Sequence, residues 1–162
     1  MTVKLKKVET QAEFNFISNY SYRNIRHFLS QDTKIDLESF DRNFNMLHKF
    51  WKEKCHMKIM VASEDHNIFL GFIVWQDTAP SECNLWFVGV KEMYRSAGLA
   101  TRMVEACLDH DKIKYFFHTH SLSKIQNKLP KKRKKPIRPE TQEFFDKLYL
   151  SDLFNGFVDL SS

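Results

Sequence analysis

Hydrophobic residues in this chain follow two rhythms that take turns along it. Val3, Leu5 and Val8 predict a short first strand, after which Phe14, Ile17, Tyr20, Ile25, Phe28 and Leu29 recur at helical spacing. Leu37, Phe40, Phe44, Leu47 and Trp51 keep a step of three or four, and Thr33 with Asp36 is placed to form a capping box at the entry to that helix. Met57, Ile59 and Val61 alternate, whereas Ile68 to Trp75 is apolar at nearly every position, so an antiparallel hairpin with a buried second strand is predicted across the turn-like "EDHN". Ala79, Pro80 and Ser81 break the chain before a strand over Asn84 to Val90. Leu99, Met103, Ala106 and Cys107 mark one helix face, with Ala100, Val104 and Leu108 alongside. Ile113 to His118 reads as a further strand, Thr141 to Leu150 as a last helix, and "NGFVDL" as a final strand. The predicted order is β-α-α-β-β-β-α-β, then a basic insertion at about residues 121–139, then helix and strand.

Composition narrows the classes. With 162 residues and 43% hydrophobic content the chain fits one domain, residues 1–162, around a single core, since two halves would each be marginal. No apolar run approaches the roughly 20 residues of a membrane span, and Met1 to Lys4 open no signal-peptide hydrophobic region, which predicts a soluble, cytoplasmic protein without membrane contact. Cys55, Cys83 and Cys107 are odd in number and far apart, so reduced thiols are expected rather than a disulfide framework or zinc knuckle. The net charge of +5 favours a polyanionic partner only weakly.

The strand "LWFVGV" is followed by Arg95, Ser96, Ala97, Gly98, Leu99 and Ala100 and then by the periodic helix. A strand that delivers a turn and a helix start gathers unpaired backbone N–H groups at one point, with the positive end of the helix dipole behind them. That arrangement attracts phosphate. Gly98 lets the turn approach an anion without a Cβ, Ala100 keeps the first helical turn narrow, and Arg95 adds positive charge at the loop's mouth. These residues resemble the acetyl-CoA motif Q/R-x-x-G-x-G/A of the GCN5-related N-acetyltransferase (GNAT) family, with Val90 closing the strand and Tyr94 and Arg95 as its tyrosine-arginine pair. Ser96 stands where the family usually has glycine. The order of elements resembles the family over about residues 1–120. The resemblance implies an α+β GNAT-like fold, a mixed, mostly antiparallel sheet flanked by helices. It implies acetyl-CoA as cofactor and an amine as acceptor by direct attack. Backbone groups near Val88 and Val90 would pair with the pantetheine arm, and amides from Arg95 through Ala100 would hold the diphosphate.

The family's catalytic pattern is only partly present. "TQEFFDKLYL" resembles its second cofactor segment, but Phe145 occupies the place of the tyrosine that protonates the departing thiolate. A phenyl ring packs against pantetheine and has no proton to give. Tyr149, one helical turn on, is the substitute candidate. Glu82 is the candidate base by position, and Asp77 the second. His118 and His120 share a strand side without a carboxylate or thiol neighbour to complete a metal set, and Cys83 lacks a paired base, so neither a metal nor a cysteine nucleophile is expected.

Lys131 to Lys135 is a run of five cations bracketed by prolines. Lys131 to Arg138 reads as a solvated loop or as a contact for a polyanion or acidic protein. Three function classes follow: an acetyl-CoA-dependent N-acetyltransferase; a catalytically inactive binding or assembly protein of the same fold, such as a phage virion component; and a nucleic-acid-binding module resting on charge alone. Oligomeric state has no signal in the sequence.

Overall fold

The structure is a computed structural model that describes residues 2–30, 37–79, 82–95, 97–108 and 115–118. Its elements are β1 (Val3–Lys7), α1 (Gln11–Ser30), α2 (Leu37–Lys54), β2 (His56–Ala62), β3 (Phe69–Ala79), β4 (Glu82–Val90), a short 3-10 turn (Glu92–Tyr94), α3 (Leu99–Leu108) and β5 (Tyr115–His118). The five strands lie in sequence order in one sheet. Neighbouring strands from β1 to β4 pair antiparallel, β1 and β2 being joined through α1 and α2, and the crossover through α3 returns β5 parallel to β4. The sheet is therefore mixed and mostly antiparallel, as the resemblance implies.

Helices cover both faces. Ile17, Tyr20, Phe40, Phe44, Leu47 and Trp51 from α1 and α2 pack on Met57, Ile59, Val61, Phe72, Val74 and Phe87. Leu99, Met103, Val104, Cys107 and Leu108 of α3 pack on Met60, Leu70, Ile73, Leu85, Val88 and Val90 on the other side. Strand β3 is buried on both faces, which is why its sequence reads as an unbroken apolar run.

Three expectations change. β3 continues through the polar Gln76–Thr78 to Ala79, and β4 begins at Glu82, because backbone pairing between the two strands persists after the apolar pattern stops. Leu37 is exposed, lying at the first residue of α2 ahead of the packed stripe. Ala106 is also exposed; Val104 and Leu108 complete the buried face of α3 instead. The Thr33–Asp36 cap, the basic insertion, the helix at Thr141–Leu150, the strand at "NGFVDL" and His120 lie outside the described residues.

A cap not expected from the sequence begins α1. Glu13 Oε1 accepts from the backbone N–H of Glu9 (2.8 Å) and Thr10 (2.9 Å), while the Glu13 amide donates to Thr10 Oγ1 at 3.2 Å. Lys6 Nζ reaches Glu13 Oε2 at 2.6 Å, tying β1 to the helix start. Burial pushes the Glu13 carboxyl up, but the Lys6 hydrogen bond, the two amides and the lysine charge outweigh it and bring it down to about 2. A depressed folded-state pKa stabilises above the unfolded carboxylate range and the stability is lost as pH falls from about 5 toward 2. Glu13 is 2% exposed, and the acid loss is expected to be about 2 to 3 kcal/mol. Urea midpoints measured from pH 6 to 2.5 check it: Glu13→Gln flattens the acid limb, and parallel curves for the two proteins would refute the assignment.

Candidate functional site

Strand β4 changes its pairing halfway along. Val74 faces Phe87 but Trp75 faces Leu85, so Trp86 is an extra residue, a β-bulge. Among the described residues, pairing of β4 with β5 spans Glu82 to Leu85, ahead of the bulge. Beyond it, the Lys91 amide donates to Leu70 O at 2.8 Å, which fixes the alternation: Gly89 and Phe87 turn their backbone groups toward β3, and Val88 and Val90 turn theirs to the opposite edge. Among the described residues no strand pairs with that edge at Val88 and Val90. One of its groups is engaged, because Val90 O accepts from Tyr20 Oη at 2.8 Å and from Arg95 Nε at 3.1 Å.

The chain then tightens. Tyr94 N–H donates to Lys91 O (2.9 Å) and Arg95 N–H to Glu92 O (3.1 Å), closing the 3-10 turn. Gly98 sits at φ +72°, in the left-handed region that a side chain disfavours, and a Cβ built on it would meet nothing within 4 Å. The first helical donor is Arg102 N–H, bonded to Gly98 O at 3.0 Å, so the amides of Leu99, Ala100 and Thr101 have no acceptor inside α3. Leu99 buries its side chain in the core and anchors this end of the helix, while Ala97 and Gly98 are exposed. The result is a group of amides beside open space with the positive helix end behind them.

The amides and side chains at this turn differ in part from the set that the resemblance implies. The Arg95 amide belongs to the turn, and its guanidinium folds back, with Nη2 donating to Tyr20 Oη at 3.0 Å, rather than standing at the loop's mouth. Thr101 joins the set of amides and was not anticipated. Ser96 lies outside the described residues. Tyr20 was read only as a core residue, yet its hydroxyl links α1 to the end of β4 and to Arg95 across 70 and 75 residues of sequence.

At the other end of β4, Glu82 is its first residue, opposite Ala79 on β3 and Tyr115 on β5. Asp77 pairs in register with Cys83, and its Oδ2 lies 2.9 Å from His56 Nε2, whose ring stacks on Trp75 with centroids 5.1 Å apart. No local pattern pointed to His56; only the β2–β3 register, which sets it opposite Trp75, brings it near Asp77.

The sequence model of the Acetyltransferase (GNAT) family matches residues 22–122, a span that runs from α1 past β5 and includes the bulged strand and the Gly98 turn. This chain belongs to the GNAT family. No curated protein sequence matches it. Among solved structures, the GNAT protein here is similar to YycN from Bacillus subtilis, which bears an acetyltransferase name, at 16% identity and TM-score 0.51 over 91% of this chain and 90% of that one. It is similar also to an acetyltransferase-named protein from Exiguobacterium sp. 255-15, at 14% identity and TM-score 0.51 over 79% and 83% of the two chains. At these identities the likeness is one of fold.

Within this GNAT fold, Cys83 is buried between β4 and α3, and burial lifts the Cys55 and Cys107 thiols to about 12 and about 11, the latter against a small opposing pull from Lys58. Thiols so far above neutral pH are packing groups. Phe145 and Tyr149, the candidates for the second cofactor segment, lie outside the described residues. No described helix is long and apolar enough to cross a membrane.

Proposed function

We propose that this GNAT protein is an acetyl-CoA-dependent N-acetyltransferase acting on an amine acceptor. One observation carries the reading: Gly98, at positive φ with open space where a Cβ would stand, at the head of three amides without helical partners. Ala97, Gly98, Leu99, Ala100 and Thr101 would hold the diphosphate of the coenzyme, and the free edge at Val88 would pair with the amides of its pantetheine arm. Acetyl-CoA, when bound, supplies the acetyl group as an activated thioester. Tyr20 and Arg95 brace the end of β4 so that this edge keeps its geometry when the loop is loaded. Glu82 takes the proton of the acceptor amine, with Asp77, held by His56, as the second candidate. Phe145 packs on the pantetheine and Tyr149 serves the departing thiol. Lys131 to Arg138 contacts a polyanion or acidic protein, a proposal resting on the charge of the sequence.

Calorimetric titration of acetyl-CoA into the full chain tests the reading. Micromolar affinity is expected, and absence of heat at millimolar coenzyme would remove it. With binding in hand, mass spectrometry of amino acids, polyamines and peptide N-termini incubated with protein and coenzyme reads turnover. Glu82→Gln is expected to lower kcat by about 100-fold or more, with its acid limb lost from the pH profile. Binding without transfer to any amine favours the inactive descendant of the fold.

A further inference from the structure

On the face opposite α3, a cavity of about 670 Å³ opens between the second half of α1 and the segment that joins β4 to the Gly98 turn. Its cations come from three places: Arg23 on α1, Lys91 at the end of β4 and Arg95 after the 3-10 turn, with His27 beside them. Among the described residues Glu92 is the one acid in its lining. Three fixed positive charges against one negative leave an excess of two (3 − 1 = 2) around a space that no described side chain fills.

Such a group repels itself unless an anion joins it, and two of its cations are held in place. Arg95 is fixed by its bonds to Val90 O and Tyr20 Oη, which use two of its five N–H groups and, among the described residues, leave the other three open to a ligand. Lys91 Nζ is held 5.2 Å from the centre of the Phe16 ring, an apolar seat that positions the charge without neutralising it. Arg23 donates from Nε to Asn19 O at 3.4 Å, and among the described residues no acid forms an ion pair with it.

We infer that this cavity is a binding site for a phosphate monoester. Its excess of two charges equals the dianion, the arginine forks suit phosphate oxygens, and the volume admits the organic group that carries the phosphate. The ester has two chemical sources: the 3′-phosphate on the ribose of a coenzyme seated at the neighbouring loop, or a phosphorylated acceptor. The first source rests on the proposed cofactor reading; the site itself does not.

The probe is inorganic phosphate, added at constant ionic strength against chloride, with the thermal midpoint of the full chain as readout. The wild type is expected to gain stability with phosphate, Arg23→Gln/Lys91→Gln to lose most of that gain with a ligand-free midpoint no lower than that of the wild type, and Glu92→Gln to bind phosphate more tightly. Calorimetry with coenzyme A and 3′-dephospho-coenzyme A then names the source. A loss of about tenfold or more in the double variant for coenzyme A alone assigns the ribose phosphate; unchanged affinity for both, with the phosphate response gone, assigns the acceptor. If neither coenzyme binds the wild type, the cofactor reading fails and the phosphate arm still decides this site. Equal phosphate responses in wild type and double variant overturn the inference.

Discussion

Gly71→Ala is expected to destabilise the protein by about 4 kcal/mol, an effect at the top of what overpacking a core causes. Gly71 lies on β3 opposite Val90. A Cβ there would overlap the carbonyl oxygen of Gly89 and sit 3.3 Å from Val90 Cα and 3.2 Å from Met103 Cε. The methionine tip can move, but the other two atoms are backbone of the neighbouring strand. Relief therefore requires β3 and β4 to separate at the point where β4 turns toward the Gly98 loop. Gly89 shows the same closeness from the other side, with a Cβ 2.5 Å from Tyr20 Cε1, so the strand pair is pinned between α1 and α3 with no slack. Urea denaturation followed by circular dichroism reads the result. Gly98→Ala is the internal comparison, since it meets no atoms and carries only the left-handed penalty of about 1 to 2 kcal/mol. If the two variants cost the same, packing between the strands is not what requires Gly71.

The order of strands and helices through β5 was legible because each element repeats its apolar residues at a period of its own, and burial of both faces of β3 made even the exception informative. Ends were less legible. Gln76–Thr78 remain in β3 through backbone pairing alone, and main-chain hydrogen bonding leaves no mark on side-chain polarity. The Thr10–Glu13 box carries a sequence signature, T-x-x-E before an apolar period, of the same kind as the T-x-x-D at Thr33. For the site, Gly98 was visible because glycine is scarce and stands between a strand pattern and a helix pattern. Tyr20 and His56 were invisible for the opposite reason: their roles exist only after β4 meets α1 and β2 meets β3. Arg95 falls between the two: the sequence shows a cation at the turn, and only the Tyr20 contact determines its direction.

Gly98→Trp is expected to weaken acetyl-CoA binding by about 100-fold or more, close to 3 kcal/mol, with a modest loss of stability. The asymmetry follows from where the substitution points. Nothing lies within 4 Å of a Cβ at this position, so the indole enters open space and displaces no part of the fold. That space is where the amides of Leu99, Ala100 and Thr101 end without helical partners, and a diphosphate held by them would meet the ring. Folding bears only the cost of a non-glycine residue at φ +72°, about 1 to 2 kcal/mol, a fall of several degrees in thermal midpoint for a chain of this size. Gly98→Ala imposes the same backbone strain with little bulk, so its affinity should fall only a few-fold, and the ratio between the two variants isolates the steric term. Titrating both against acetyl-CoA, beside their melting curves, gives that ratio. Equal affinities for the tryptophan and alanine proteins would mean that the coenzyme's phosphates bind away from the start of α3.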